Sequence, residues 1–251
     1  TKGLARLGQK CGFIGRIGDD AAGKRLHQRL KEIGVVPHLQ TTTAPTSQAL
    51  SLVTPDGQRT FGTYIGANLD PSFLHPDLFK HTRLVHIEGY LMTNGDGEFV
   101  ATAMQLAKEA GAKVSFELSN YEIVHAYRDQ MVHLISRYVD VLFANEQETY
   151  ALTNKTPEYA IEIVRDICET AVLSQGKEGC WVGQGVAKIH CPAFPVEHPV
   201  DTTGAGDHFE SGFLHGYLKG LPLHECARYG ALAGAAVVQV MGAELSEETW
   251  D

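Results

Sequence analysis

The chain has 251 residues, 43% of them hydrophobic and 20% charged, and a formal net charge of −9. That balance fits one globular α/β domain, and the acidic excess argues against a nucleic-acid partner, since phosphate backbones are held by clustered Lys and Arg. No apolar run approaches the about 18 residues of a membrane span, and five cysteines without C-x-x-C spacing argue against a disulfide framework or zinc site and for a reducing cytoplasm.

The opening TKGLARLGQK reads as a helix already under way with no cap before it, so further residues are expected ahead of Thr1. CGFIGRIGDD follows as a strand and a Gly-rich turn, then a helix from about Ala21 to Ile33. Residues 36–66 are rich in Thr, Val and Tyr. Within them a Pro-Asp-Gly turn separates two alternating runs, 48–54 and 59–65, which is a hairpin signal. No helix interrupts this stretch, so it predicts a small antiparallel sheet beside the main body.

From Arg83 the rhythm alternates. RLVHIEG, AKVSFEL, VDVLFAN and TAVLSQG are buried-strand patterns, with helical patterns between them at about 96–110, 122–138 and 157–169. Alternation of this kind predicts a parallel sheet covered by helices, with ligands beyond the carboxyl ends of the strands. Glu88-Gly89, Ser119-Asn120, Asn145-Glu146 and Ser174-Gln175-Gly176 should therefore line one rim. A second hairpin, 179–183 with 186–190, turns at Gly183-Gln184-Gly185. None of the twelve histidines falls in a tight metal-ligand spacing.

The sequence DTTGAGDHFESGFL, residues 201–214, strips a turn of bulk and places an acid where a helix begins. Phe209, Phe213, Leu214, Tyr217 and Leu218 trace one face of that helix. Its first amides lack partners within the helix, and its dipole favours negative charge there. The stretch thus offers an anion cradle, Gly204, Ala205 and Gly206, beside a carboxylate, Asp207. Phosphoryl transfer needs that combination: stabilised charge on the moving group and an acceptor for the attacking hydroxyl's proton. The plainer alternative is that Asp207 only complements the helix dipole.

Residues 201–214 resemble the second signature of the ribokinase-type (PfkB) carbohydrate kinases at Asp201, Thr202, Gly204, Ala205, Gly206, Asp207, Ser211, Gly212, Phe213 and Leu214. Thr1, Gly8 and Gly18 fall on the last three positions of the family's first signature, so the chain starts inside it. The resemblance implies a three-layer α/β/α sandwich with a mostly parallel central sheet, in a single domain 1–251 whose residues 36–66 form a small β lid. It implies ATP and Mg²⁺ as cofactors, with K⁺ as a further candidate.

Asn145 and Glu148 of NEQE are similar to the family's N-x-x-E motif and would organise Mg²⁺ partly through water; the same pattern also reads as a helix cap. SQGKEG resembles a turn beneath the nucleotide, carried by Ser174, Gly176 and Gly179. Asp201 and Thr203, with the loop after Met241, resemble a monovalent-cation site. The small-residue helix ECARYGALAGAAVVQV would flank adenine in the family; close helix packing explains it equally. Neither a G-x-x-x-x-G-K-[ST] loop nor a G-x-G-x-x-G turn occurs.

Glu88 occupies the position of a sugar-contacting acid in ribose kinases and could equally be a solvated rim acid; Arg59 and Tyr64 are further substrate candidates. The expected activity is phosphorylation of a hydroxyl of a small sugar. Two alternatives stand beside it: an adenosine (nucleoside) kinase, and a catalytically weak nucleotide- or sugar-binding protein. A homodimer through the lid is a further expectation.

Overall fold

The computed structural model describes residues 1–53, 59–93, 95 and 97–250, with the side chains at 51, 53 and 59–61 outside the described set. The Pro-Asp-Gly turn and the Arg59 side chain therefore lie outside the described residues. The chain divides into two compact units, Thr1–Phe73 and Leu74–Asp251.

In the first unit a short helix α1 (Lys2–Arg6) precedes strand β1 (Gly12–Gly18), helix α2 (Ala21–Glu32) and strand β2 (Val36–Thr42). β1 and β2 pair in parallel, from Gly12 opposite Val36 to Gly18 opposite Thr42. Strands β3 (Gln48–Val53) and β4 (Arg59–Tyr64) form a separate antiparallel pair. The single antiparallel sheet expected over 36–66 is thus corrected. Its first third closes a β-α-β unit, because α2 is a crossover long enough to return the chain parallel to β1.

The GRIGDD turn is held by Asp20. Its Oδ1 accepts from Gly23 N at 2.8 Å and Thr46 Oγ1 at 2.7 Å, and its Oδ2 accepts from Thr46 N at 2.8 Å. These donors, Gly23 first and then Thr46, hold the carboxyl down at about 2.

The second unit holds a six-stranded sheet in the order β10-β9-β8-β7-β6-β5. Strands β5 (Leu84–Glu88), β6 (Lys113–Glu117), β7 (Val141–Ala144) and β8 (Thr170–Ser174) run parallel, whereas β9 (Cys180–Gln184) and β10 (Ala187–Cys191) are antiparallel. All four residues of β7 are buried, as expected for a strand covered on both faces. Helices α3 (Glu98–Glu109), α4 (Tyr121–Tyr138), α5 (Glu146–Thr153) and α6 (Pro157–Val164) fill the connections. α6 stops five residues short of the expected end. The β9–β10 hairpin turns at Gly185-Val186, just past the expected centre at Gln184, since Gln184 still pairs with Ala187.

Helices α7 (Ala205–Leu218) and α8 (Leu223–Val237) pack tightly together. A Cβ on Gly212 would stand 2.4 Å from Tyr229 O, so the small residues of this region let two backbones approach. α7 is consequently buried on more than the single predicted face. Phe213 and Leu214 are fully buried, and His208, Glu210, Ser211 and His215 are buried on other sides, while Phe209, Tyr217 and Leu218 are only part-buried. Phe213 meets Phe143 of β7 edge-on at 5.4 Å, which ties α7 to the sheet.

Candidate active site

The carboxyl ends of the parallel strands and the start of α7 supply the polar groups. Glu88 ends β5 and sits directly opposite Glu117, which ends β6. Asn145 follows β7 and caps α5, and Ser174 ends β8.

Gly204 is the N-cap of α7 at φ 77°, and no side chain caps this helix. Only glycine tolerates both that backbone and the neighbouring Ala243 Cβ, which an added methyl would approach to 2.7 Å. The Ala205 amide already bonds to Thr202 O at 3.2 Å. Among the described residues no acceptor meets the amides of Gly206 and Asp207, so the open part of the expected cradle narrows to these two. Gly206 is exposed, and a Cβ there would meet nothing within 4 Å. The Asp207 side chain is exposed and receives no hydrogen bond among the described residues, so it does not cap the helix.

Around Asp207 gathers a crowd of acids. Burial first, and then the Asp207 charge, push the Glu88 carboxyl up. Glu117 is pushed up to about 7 by burial, with Glu148 and Glu88 adding repulsion against the Ser119 hydrogen bonds. Those bonds come from Ser119 N at 2.9 Å and Ser119 Oγ at 2.7 Å. Burial also raises Glu148. Glu210, one helical turn beyond Asp207, is raised well above the ordinary carboxylate range by burial and then by Glu117, Asp207, Glu148 and Glu88. Its Oε2 stands 3.4 Å from Nε2 of His86, which burial depresses to about 4. Nδ1 of His86 is 2.9 Å from Ser115 Oγ.

Asn145 and Glu148 form a full capping box. Glu148 N donates to Asn145 Oδ1 at 3.0 Å, Asn145 N donates to Glu148 Oε2 at 2.8 Å, and Asn145 Nδ2 donates to Oε1 at 2.6 Å. The cap is real, and the residues remain able to face a hydrated cation, since each carboxylate oxygen keeps a lone pair. The acids offer only hard oxygen donors, which suits Mg²⁺ held through water. Among the described residues no three of these groups close into a preformed metal cluster.

The turn after β8 closes by Gln175 N to Gly179 O at 2.7 Å. Gly179 has φ 95°, and a Cβ there would lie 2.1 Å from Cys191 O, so its glycine is demanded by backbone and packing alike. Asp201 acts as a loop staple. Its Oδ1 accepts from Thr203 N at 2.9 Å and Thr203 Oγ1 at 2.7 Å, and its Oδ2 accepts from Gly242 N at 2.9 Å, in the loop after Met241.

Glu117 and Glu210 did not emerge from the sequence. Glu117 carried a signal: the strand pattern in SFEL closes on Glu117 as that in HIEG closes on Glu88, and parallel register places two such ends side by side. Glu210 lay inside the 201–214 signature at a position the resemblance leaves unconstrained.

The pattern of the pfkB family carbohydrate kinases matches residues 1–250. The chain belongs to this family. Aminoimidazole riboside kinase of Salmonella typhimurium is 31% identical over 221 residues, covering 84% of this chain and 69% of that protein. The crystal structure of adenosine kinase from Sinorhizobium meliloti superposes with a TM-score of 0.90 at 31% identity, over 97% of this chain and 77% of that one. A structure described as ribokinase II from E. coli, in complex with ATP and Mg²⁺, gives 0.87 at 25% identity, over 96% and 81%. The fold is ribokinase-like α/β with a mostly parallel central sheet, and the protein is a carbohydrate kinase of the sugar and nucleoside type. Among the described residues no helix is long and apolar enough to cross a membrane.

Proposed function

We propose that the protein transfers the terminal phosphoryl group of ATP to a hydroxyl of a small sugar, with Asp207 as general base. The observation that carries this reading is the start of α7. Two amides, at Gly206 and Asp207, that meet no acceptor among the described residues stand beside a carboxylate that receives no hydrogen bond among them. The carboxylate accepts the proton of the attacking alcohol, the alcohol oxygen bonds to the phosphorus, and ADP departs. The open amides and the helix dipole hold the charge that develops on the transferred group.

Asn145 and Glu148, with Glu117 beside them, would hold Mg²⁺ through its water shell; that ion supplies charge neutralisation on the phosphates. Ser174, Gly176 and Gly179 cradle the nucleotide, and Glu88 binds a sugar hydroxyl. Asp201 and Thr203 stiffen the approach to the cradle and are the candidates for a K⁺ site; equal rates in Na⁺ and K⁺ would remove that role. Leu50, Leu52, Tyr64 and Ile65 leave an exposed apolar stretch around the β3–β4 pair. We assign it to a homodimer contact, which a gel-filtration mass of one chain would exclude.

A coupled ADP-release screen with ribose, fructose, other sugars and adenosine tests the acceptor. Turnover with a free sugar above that with adenosine is the expected result. The reverse order would make the protein a nucleoside kinase, a reading that the adenosine kinase superposition fits equally well. No turnover with any acceptor, despite ATP binding, would leave the weak-binding reading.

A further inference from the structure

Cys180 and Cys191 stand directly opposite each other on β9 and β10. In an antiparallel pair such residues point to the same face, with Cα atoms about 4.5 or 5.5 Å apart depending on the pair type. Both spacings fall within the range a disulfide accepts, about 4.4–6.8 Å. The two thiols are free. Cys191 Sγ also reaches Pro192 O at 3.8 Å, while Cys168 Sγ faces the carbonyls of Val164 and Thr170 and Cys226 Sγ faces Leu221 O, neither of them opposite another cysteine in a strand pair.

The pair lies at the root of the turn assigned to the nucleotide. Cys180 follows Gly179 in the chain, and the Gly179 backbone rests against Cys191 O, Pro192 Cα and Ala193 N. β10 is the edge strand of its sheet, so local fraying there exposes Cys191 without opening the core.

We propose that Cys180 and Cys191 are a modification site that a peroxide closes to a cross-strand disulfide, fixing the nucleotide turn in a form that binds ATP less well. The effect on ATP rests on the nucleotide-turn reading above; the crosslink does not. Cys191 is the attacking sulfur because it lies on the edge strand, where local fraying brings it to peroxide first. Its thiolate attacks one oxygen of hydrogen peroxide and the other leaves as hydroxide, giving a sulfenic acid. The Cys180 sulfur then attacks the Cys191 sulfur, and the hydroxyl departs with the Cys180 proton as water. Two thiols lose two electrons, and one peroxide becomes two waters.

The test is non-reducing peptide mapping after hydrogen peroxide, with kinetics on the same sample. Trypsin cuts at Lys188 between the two cysteines, so the crosslink appears as two joined peptides that dithiothreitol separates. We expect that joined pair, a KM for ATP raised about tenfold, an unchanged KM for the sugar, and full reversal by dithiothreitol. Cys191→Ser, and Cys180→Ala should the serine disturb folding, should keep the reduced protein's KM after peroxide. Absence of the joined peptides, or only higher oxides on Cys191, overturns the site. Joined peptides with an unmoved KM for ATP overturn its control of the turn. Gly176→Val in the reduced protein isolates the other failure: no change in KM for ATP there removes the nucleotide-turn reading and leaves the crosslink mapping intact.

Discussion

Two helix starts in this protein use the same chemistry in opposite ways. At α2 the Asp20 carboxylate folds back on its own helix, takes the Gly23 amide and clamps Thr46. At α7 a glycine stands in the cap position, and the acid three residues on engages no donor among the described residues. A helix end that satisfies itself is structural. One that leaves its amides open forgoes the stabilisation a cap brings, of order 1 kcal/mol, and under the proposed function does so in favour of a ligand. The acids differ likewise: Asp20 is held down by aimed donors, whereas Glu88, Glu117, Glu148 and Glu210 are pushed up by burial, joined by the Asp207 charge at Glu88 and by neighbouring carboxylates at Glu117 and Glu210.

The sharpest way to break this comparison is Asp207→Asn. Loss of the general base should lower kcat by about 10²–10⁴ while ATP affinity, read by titration, stays near the starting value. Retained turnover would return Asp207 to a mere dipole partner. Gly206→Ala probes the open amides. In a helix the Cβ leans toward the N-terminus, here toward the approaching anion, and it meets no protein atom. We expect kcat/KM to fall about tenfold while Tm rises slightly, because alanine favours helix over glycine by about 1 kcal/mol. A variant equally stable and equally active would show that no anion approaches there.

Asp20→Ala should do the converse: a Tm lower by several degrees, with kcat unchanged. Its stabilisation is present above the ordinary value of 3.8 and lost as pH falls toward about 2, so the variant and the parent should converge in acid. The smallest effect concerns Glu117. Between 4.5 and about 7 the folded protein keeps a proton that the unfolded chain has released, so stability falls as pH rises through that window. Glu117→Gln should flatten that part of the Tm–pH curve, measured without Mg²⁺.

Local features were legible beforehand. The parallel strands from Leu84 onward, the helices between them, the Asn145–Glu148 box and the start of α7 all express periods or contacts spanning three or four residues. Where reading failed, the deciding partner was distant. Val36–Thr42 has the composition of a lid strand, yet it pairs with β1 because α2 carries it there. α7 shows an apolar face, yet α8 buries further sides of it through contacts such as Gly212 against Tyr229.

By itself the sequence determined the elements, the caps and the 201–214 signature, since each is written in neighbouring residues and the geometry of one helix or strand. Only the tertiary structure decided that acids from β5, β6, α5 and α7 crowd one another, and that Cys180 faces Cys191. Repulsion, burial and thiol contact depend on distances through space, and residues 88, 117, 148 and 210 acquire those distances only when the sheet assembles its register.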